Sequence, residues 1–208
     1  MSTFTLHQLK RIFKQDLPGL PAQLKMAPPN RAEQLLNSKE KTPSAKQSAV
    51  MILLFHDKGA LKTVFIKRSE YDGVHSGQIS FPGGRYELCD SSYEATALRE
   101  TWEEIGVKEH DIEIIGQLTD VYIPPSNFMV KVFVGYCTEK PNYSIDQREV
   151  QRVIEIEMKR LAELNTITQM VINSSSVPCY RIENIEIWGA TAMIISELLD
   201  LIKIDIEL

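Results

Sequence analysis

Cysteine is scarce: Cys89, Cys137 and Cys179 are three in 208 residues, far apart and without CxxC spacing. An odd, dispersed set fits a reducing compartment better than a disulfide framework, so a cytoplasmic location is expected. A basic surplus is missing too. Lys and Arg number 23 against 28 Asp and Glu, a formal net charge of −5. That leaves no general cationic surface to neutralise phosphates, and excludes non-specific binding to nucleic acid or an anionic membrane. The longest purely apolar run, Ala49 to Phe55, is far short of the roughly 20 residues that span a bilayer. Lys10, Arg11 and Lys14 interrupt the apolar positions of the first twenty residues, so no signal-peptide core is expected. What remains is 43% hydrophobic and 25% charged, the composition of a folded domain long enough to build a core without disulfide or metal staples.

Phe4, Leu6, Leu9, Ile12 and Phe13 recur near helical spacing before Pro18 and Pro21 stop the pattern. The chain to Gln47 then reads as a helix-and-loop extension punctuated by prolines, so residues 1–47 form an expected extension and 48–208 the expected domain. AVMILLF and TVFIKR flank the turn signal HDKGA and predict a hairpin. IEIIGQLTDVYI, FMVKVFVGYC, VIEIEM and IEIW read as further strands, and KRLAEL and GATAMIISELLDLI as helices. Strands mixed with segregated helices predict an α/β or α+β domain.

The most informative segment is residues 81–107, FPGGRYELCDSSYEATALRETWEEIGV. Ser91 followed by Glu94 predicts a capping box at a helix start, and Gly106 a helix stop. At about 100° per residue, Glu100, Glu103 and Glu104 share one arc, with Ala95, Leu98, Trp102 and Ile105 opposite on an expected core face. Carboxylates at i, i+3 and i+4 repel, and in the last turn they also face the negative end of the helix dipole. Two penalties on one triplet call for a cation, and all-oxygen donors suit a hard one, Mg2+ or Mn2+. A bare ExxEE is more often a solvated acidic face. Here a Gly-Gly loop feeds the helix and Arg99 precedes the triplet.

Gly84, Asp90, Arg99, Glu100, Glu103, Glu104, Gly106 and Val107 together resemble the Nudix box, a glycine and a spaced acid followed by R-E-x-x-E-E-x-G and an apolar residue. The acid is Asp rather than Glu, and its spacer to the Arg-Glu pair is one residue longer than in the general box. Both features are similar to the coenzyme A diphosphatase branch. So is the preceding stretch KRSEYDGVHSGQISFPGG, through Arg68, Ser69, His75, Gly77, Gln78 and Phe81 to Gly84. Glu149-Val150 and WGATAMI, residues 188–194, resemble later segments of that branch. The resemblance implies a Nudix fold, a mixed β-sheet sandwiched between α-helices. It also implies hydrolysis of coenzyme A or acyl-coenzyme A to adenosine 3′,5′-bisphosphate and 4′-phosphopantetheine. A related activity on NADH, ADP-ribose or a dinucleoside polyphosphate, or an inactive ligand-binding module, are the alternatives.

On this reading Glu100, Glu103 and Glu104 ligate the metal, and the family adds the Gly84 carbonyl. Glu103 or Glu149 serves as general base, and family members differ on which. Arg99 belongs with the catalytic set by orienting carboxylates, paired with Asp90 or Glu87. Arg68 and Arg85 are candidate phosphate contacts because guanidinium matches phosphate bidentately. His75 and Gln78 enter through the coenzyme A signature. Tyr122, beside a Pro-Pro-Ser-Asn loop, is a candidate pocket wall. Oligomeric state stays open, with the apolar face of the first helix able to pack on its own domain or on a second copy in a homodimer.

Overall fold

The computed structural model describes residues 4–36, 44–69, 77–163, 166–172 and 174–204. Three short helices lead in: α1 (Leu6–Ile12), α2 (Gly19–Leu24) and α3 (Pro29–Leu36). The body then runs β1 (Lys46–Asp57), β2 (Ala60–Arg68), β3 (Ile79–Ser80), β4 (Gly83–Arg85), α4 (Tyr93–Ile105), β5 (Glu113–Ile123), β6 (Phe128–Cys137), β7 (Val150–Glu157), α5 (Met158–Leu161), β8 (Ile167–Ile172), β9 (Ser175–Ile182), β10 (Ile185–Trp188) and α6 (Gly189–Ile204).

β1 organises the sheet because its apolar run is buried on both faces, the pattern of a central strand. Strand order is β3-β2-β1-β6-β5, with β4 also on β1 and β7 also on β2. The β1–β6 pair is parallel and the others antiparallel, so the sheet is mixed. The expected hairpin forms, with Asp57 opposite Ala60 across Lys58 and Gly59. Alternation along β1 divides the core. Ala49, Met51, Leu53 and Phe55 meet Ala97, Leu98 and Ile105 of α4 on one face. Ile52 and Leu54 belong to the other core, with Leu9, Ile12, Met193 and Leu198. A sheet between helix layers results, as the fold expectation has it.

The apolar face of α1 is used within the chain, Leu9 and Ile12 being fully buried. Of the two expected packings, the one on its own domain is observed, with Leu6 and Phe13 partly buried beside them. Glu197 on α6 fastens the extension further: its buried carboxylate accepts from the Gly19 and Thr119 N–H groups at 3.2 and 3.1 Å and from Gln23 Nε2 at 2.8 Å. A small antiparallel sheet, β8-β9-β10, lies beside the main one. Among the described residues no helix is long and apolar enough to cross a membrane.

Two helix expectations need correction. The N-cap of α4 is Ser92, whose hydroxyl accepts from the Ala95 N–H at 3.1 Å, so Ser91 and Glu94 form no capping box. Trp102 is 55% exposed rather than core. The buried residues are instead Thr96, Ala97, Leu98, Thr101, Glu104 and Ile105. Small Ala97 and Thr101 let α4 lie close to β1, and the Thr101 hydroxyl is satisfied by the Ala97 carbonyl at 2.7 Å. That choice of face turns Trp102 outward, into a groove of about 540 Å³ shared with Cys89, Lys108 and His110.

Candidate active site

Gly83 and Gly84 bring the β4 backbone against α4. Gly83 adopts φ 152°, and a Cβ there would meet the Ala49 carbonyl at 2.3 Å. At Gly84 the close neighbour is a side chain: a Cβ would lie 2.4 Å from the Glu100 carboxylate. The missing side chain of Gly83 therefore lets β4 lie against β1, and that of Gly84 lets the Glu100 carboxylate of α4 lie against the loop. Gly106, at φ 76°, closes the helix with its N–H donating to the Trp102 carbonyl at 2.8 Å.

Glu104 is the most enclosed of the triplet, only 1% exposed. Its oxygens accept from the Gly83 N–H at 2.8 Å and from Arg68 Nη1 at 3.2 Å. Burial nevertheless pushes its pKa up to about 8, because desolvation outweighs Arg68 and the Gly83 N–H. Burial also raises Glu100, and the Glu103 and Glu149 charges add to it. Glu149 thus belongs to the cluster despite its distance in sequence. The Ser144 and Asp146 N–H groups donate to the Ile105 and Glu104 carbonyls, and the Ser69 N–H to the Glu149 carbonyl. Those bonds tie the turn before β7 to the end of α4 and to the end of β2.

Arg99 settles the open choice between Asp90 and Glu87 in favour of Asp90, through Nε at 2.8 Å and Nη2 at 3.0 Å. The Glu87 N–H and the Thr96 hydroxyl also donate to Asp90, each at 2.9 Å. With Arg99 as the main cause, these donors hold the Asp90 carboxyl well below its usual range. Arg99 Nη1 reaches both Glu100 and Glu103 at 2.9 Å, and Nη2 the Arg85 carbonyl at 3.1 Å. One guanidinium therefore joins the spaced acid, the glycine strand and two of the triplet. The longer spacer has not broken that contact.

Other expected site residues fall in different places. Arg68 faces Glu104, and its buried Nε has no partner among the described residues. The Gln78 carbonyl accepts the Arg68 N–H at 3.0 Å, while Arg85 is exposed on β4. Tyr122 is not brought to the carboxylates: β6 and β1 stand between β5 and β4, and its hydroxyl donates to Asn127 Oδ1 at 3.0 Å. His75 lies outside the described residues.

The donor set fits a divalent cation, although no three ligating side chains already surround one point among the described residues. Glu100, Glu103 and Glu104 meet the Arg68 and Arg99 guanidinium groups with the Glu149 charge nearby, burial raises the pKa of both Glu100 and Glu104, and Gly84 leaves its Cβ space to the Glu100 carboxylate. Such a surplus is what a hard cation relieves.

Residues 45–175 match the NUDIX domain family model. The chain belongs to the Nudix hydrolase family. It is 33% identical over 159 residues to the uncharacterized Nudix hydrolase NudL of Enterobacter sp., covering 74% of this chain and 81% of that protein. Nudix hydrolase 3 of Caenorhabditis elegans is 36% identical over 124 residues, which cover 58% of this chain and 51% of the relative, so the match spans about half that protein's length. Among solved structures, the MutT/nudix family protein from Enterococcus faecalis superposes with a TM-score of 0.56 at 16% identity, over 96% of this chain and 75% of that one. The Nudix fold expected from the box is thus the fold observed.

Proposed function

We propose that this Nudix protein hydrolyses the diphosphate linkage of coenzyme A or acyl-coenzyme A, giving adenosine 3′,5′-bisphosphate and 4′-phosphopantetheine or its acyl form. One observation carries the substrate reading. The segment resembling the coenzyme A signature starts and ends at the carboxylates: Arg68 pairs with Glu104, and Gly83 donates to the same carboxylate. A substrate-discriminating segment belongs beside the reacting diphosphate, and the contacts of Arg68 and Gly83 with Glu104 support that reading.

Glu100, Glu103 and Glu104, with the Gly84 carbonyl, would hold Mg2+ or Mn2+. When bound, the ion lowers the pKa of water and screens charge on phosphorus. The protein's own groups do the rest. Arg99 fixes Glu100 and Glu103 in place, and Arg68 balances Glu104. Glu103 or Glu149 takes the proton of the water that attacks phosphorus in line. Glu103 is exposed on the helix and Glu149 sits in the turn before β7, so each is open to a water molecule.

The test is a substrate panel of coenzyme A, acetyl-coenzyme A, NADH, ADP-ribose and diadenosine polyphosphates with Mg2+ or Mn2+, with products resolved by chromatography. The reading predicts the highest kcat/KM for a coenzyme A compound and release of adenosine 3′,5′-bisphosphate. Equal or faster turnover of another member of the panel replaces coenzyme A as substrate and leaves the carboxylate site in place.

A further inference from the structure

Residues 164–180, LNTITQMVINSSSVPCY, contain no charged side chain in a chain that is 25% charged. Within that stretch β8 is the end strand of the small sheet, paired on one side with β9 from Ile167↔Tyr180 to Ile172↔Ser175. Among the described residues no strand pairs with its outer edge. Ile167 and Val171 are 47% and 75% exposed on one face, with Gln169 between them. Edge strands that remain alone are normally blunted by charge, proline or a bulge. β8 has no charge or proline, and its register with β9 is unbroken.

We propose that the outer edge of β8 is an interface with a second copy of this chain, formed by antiparallel β8–β8 pairing about a two-fold axis at Gln169. The choice of a second copy rests on self-complementarity. Opposite residues of an antiparallel pair share a face, so a two-fold at Gln169 sets Ile167 against the partner's Val171, and Val171 against the partner's Ile167. Thr168 then faces the partner's Met170 on the other side. Each apolar residue finds an apolar or β-branched partner, and no charge is buried. Charge points the same way: two copies at −5 each repel, and a 17-residue uncharged segment is where they can approach at least cost. Specific interfaces bury roughly 800 Å² per partner. A six-residue edge lies at the low end of that scale, so a micromolar dimer is expected.

Sedimentation of the full chain from about 1 to about 200 µM tests the association, and engineered cysteines test the register. In a Cys89→Ser background, Gln169→Cys should cross-link to a dimer under mild oxidation, because facing Cα atoms lie roughly 5 Å apart. Ile167→Cys should not, being about four residues or ~13 Å from its own equivalent. Val171→Lys should weaken dimerisation at least about tenfold with an unchanged circular dichroism spectrum. A chain that stays monomeric at every concentration overturns the proposal. So does a dimer that Val171→Lys leaves intact, or one in which Ile167→Cys cross-links as readily as Gln169→Cys.

Discussion

Replacing Gly84 by Ala separates a site defect from a folding defect. The new Cβ would lie 2.4 Å from the Glu100 carboxylate, while ordinary contact begins at 3.4 Å, so the carboxylate must retreat by about 1 Å. A carboxylate ends a flexible side chain and can do so. Backbone φ at Gly84 lies outside the left-handed range, so stability should change by less than about 1 kcal/mol. The displaced group is a proposed metal ligand held by Arg99, and a 1 Å misplacement at a reacting centre costs roughly 10²-fold in rate. Gly83→Ala is the control. There the Cβ meets the Ala49 carbonyl at 2.3 Å and the Val50 Cα at 2.6 Å, backbone atoms of the central strand that cannot move away. That substitution should cost about 3 kcal/mol or more. Thermal unfolding and steady-state turnover of the best diphosphate substrate, measured on both variants, give the comparison. Wild-type kcat in Gly84→Ala would refute the reasoning, as would a stability loss equal to that of Gly83→Ala.

Asp90→Asn should destabilise by roughly 2–4 kcal/mol, since it leaves the Arg99 guanidinium short of its main anion. Asp90 is held ionised below its usual 3.8, so its contribution is complete above about pH 4 and is lost as pH falls further. Denaturant melts of both proteins from pH 2 to 6 should show a shallower acid slope in the variant, and parallel slopes would contradict this. Glu197→Ala removes the acceptor of the half-buried Gly19 and Thr119 N–H groups and one of the two acceptors of Gln23 Nε2, and should cost roughly 2–4 kcal/mol by thermal melting. A loss under about 1 kcal/mol would mean that the carboxylate does not hold α2 to α6 and β5. Of the three thiols, only Cys89 is exposed, and burial pushes Cys137 up to about 12. Native protein at pH 8 should therefore titrate one fast thiol with Ellman's reagent and three after denaturation.

Local pattern made much of this legible. The apolar runs of β1 and β2 around Lys58 and Gly59, and the carboxylate triplet of α4 closed by Gly106, follow from residue pattern and turn chemistry. The face that α4 presents to the sheet does not. A helical wheel finds the apolar arc around Trp102, but close packing favoured the smaller Ala97 and Thr101 and carried Glu104 into the core. The capping position failed for a related reason: adjacent serines differ only in which backbone turns into the helix. Glu149 joins the site through backbone bonds of a loop that has no periodicity. The pairing of Arg68 with the buried Glu104 joins residues 36 apart and has no local signal in the sequence. The β8–β9 hairpin lies in a Ser/Asn-rich stretch whose alternation is weak, and only its pairing with Tyr180 and Cys179 reveals it.

The central claim is that the α4 carboxylates carry out diphosphate hydrolysis with a divalent ion. Its most direct test is the turnover of coenzyme A by wild type and by Glu103→Gln in Mg2+ or Mn2+. Glu103 is exposed and a Gln there can still accept from Arg99 Nη1, so the fold is expected to persist. The account predicts metal-dependent release of adenosine 3′,5′-bisphosphate by wild type and a loss of at least about 10³-fold in kcat in the variant. Turnover by Glu103→Gln at the wild-type rate would contradict it.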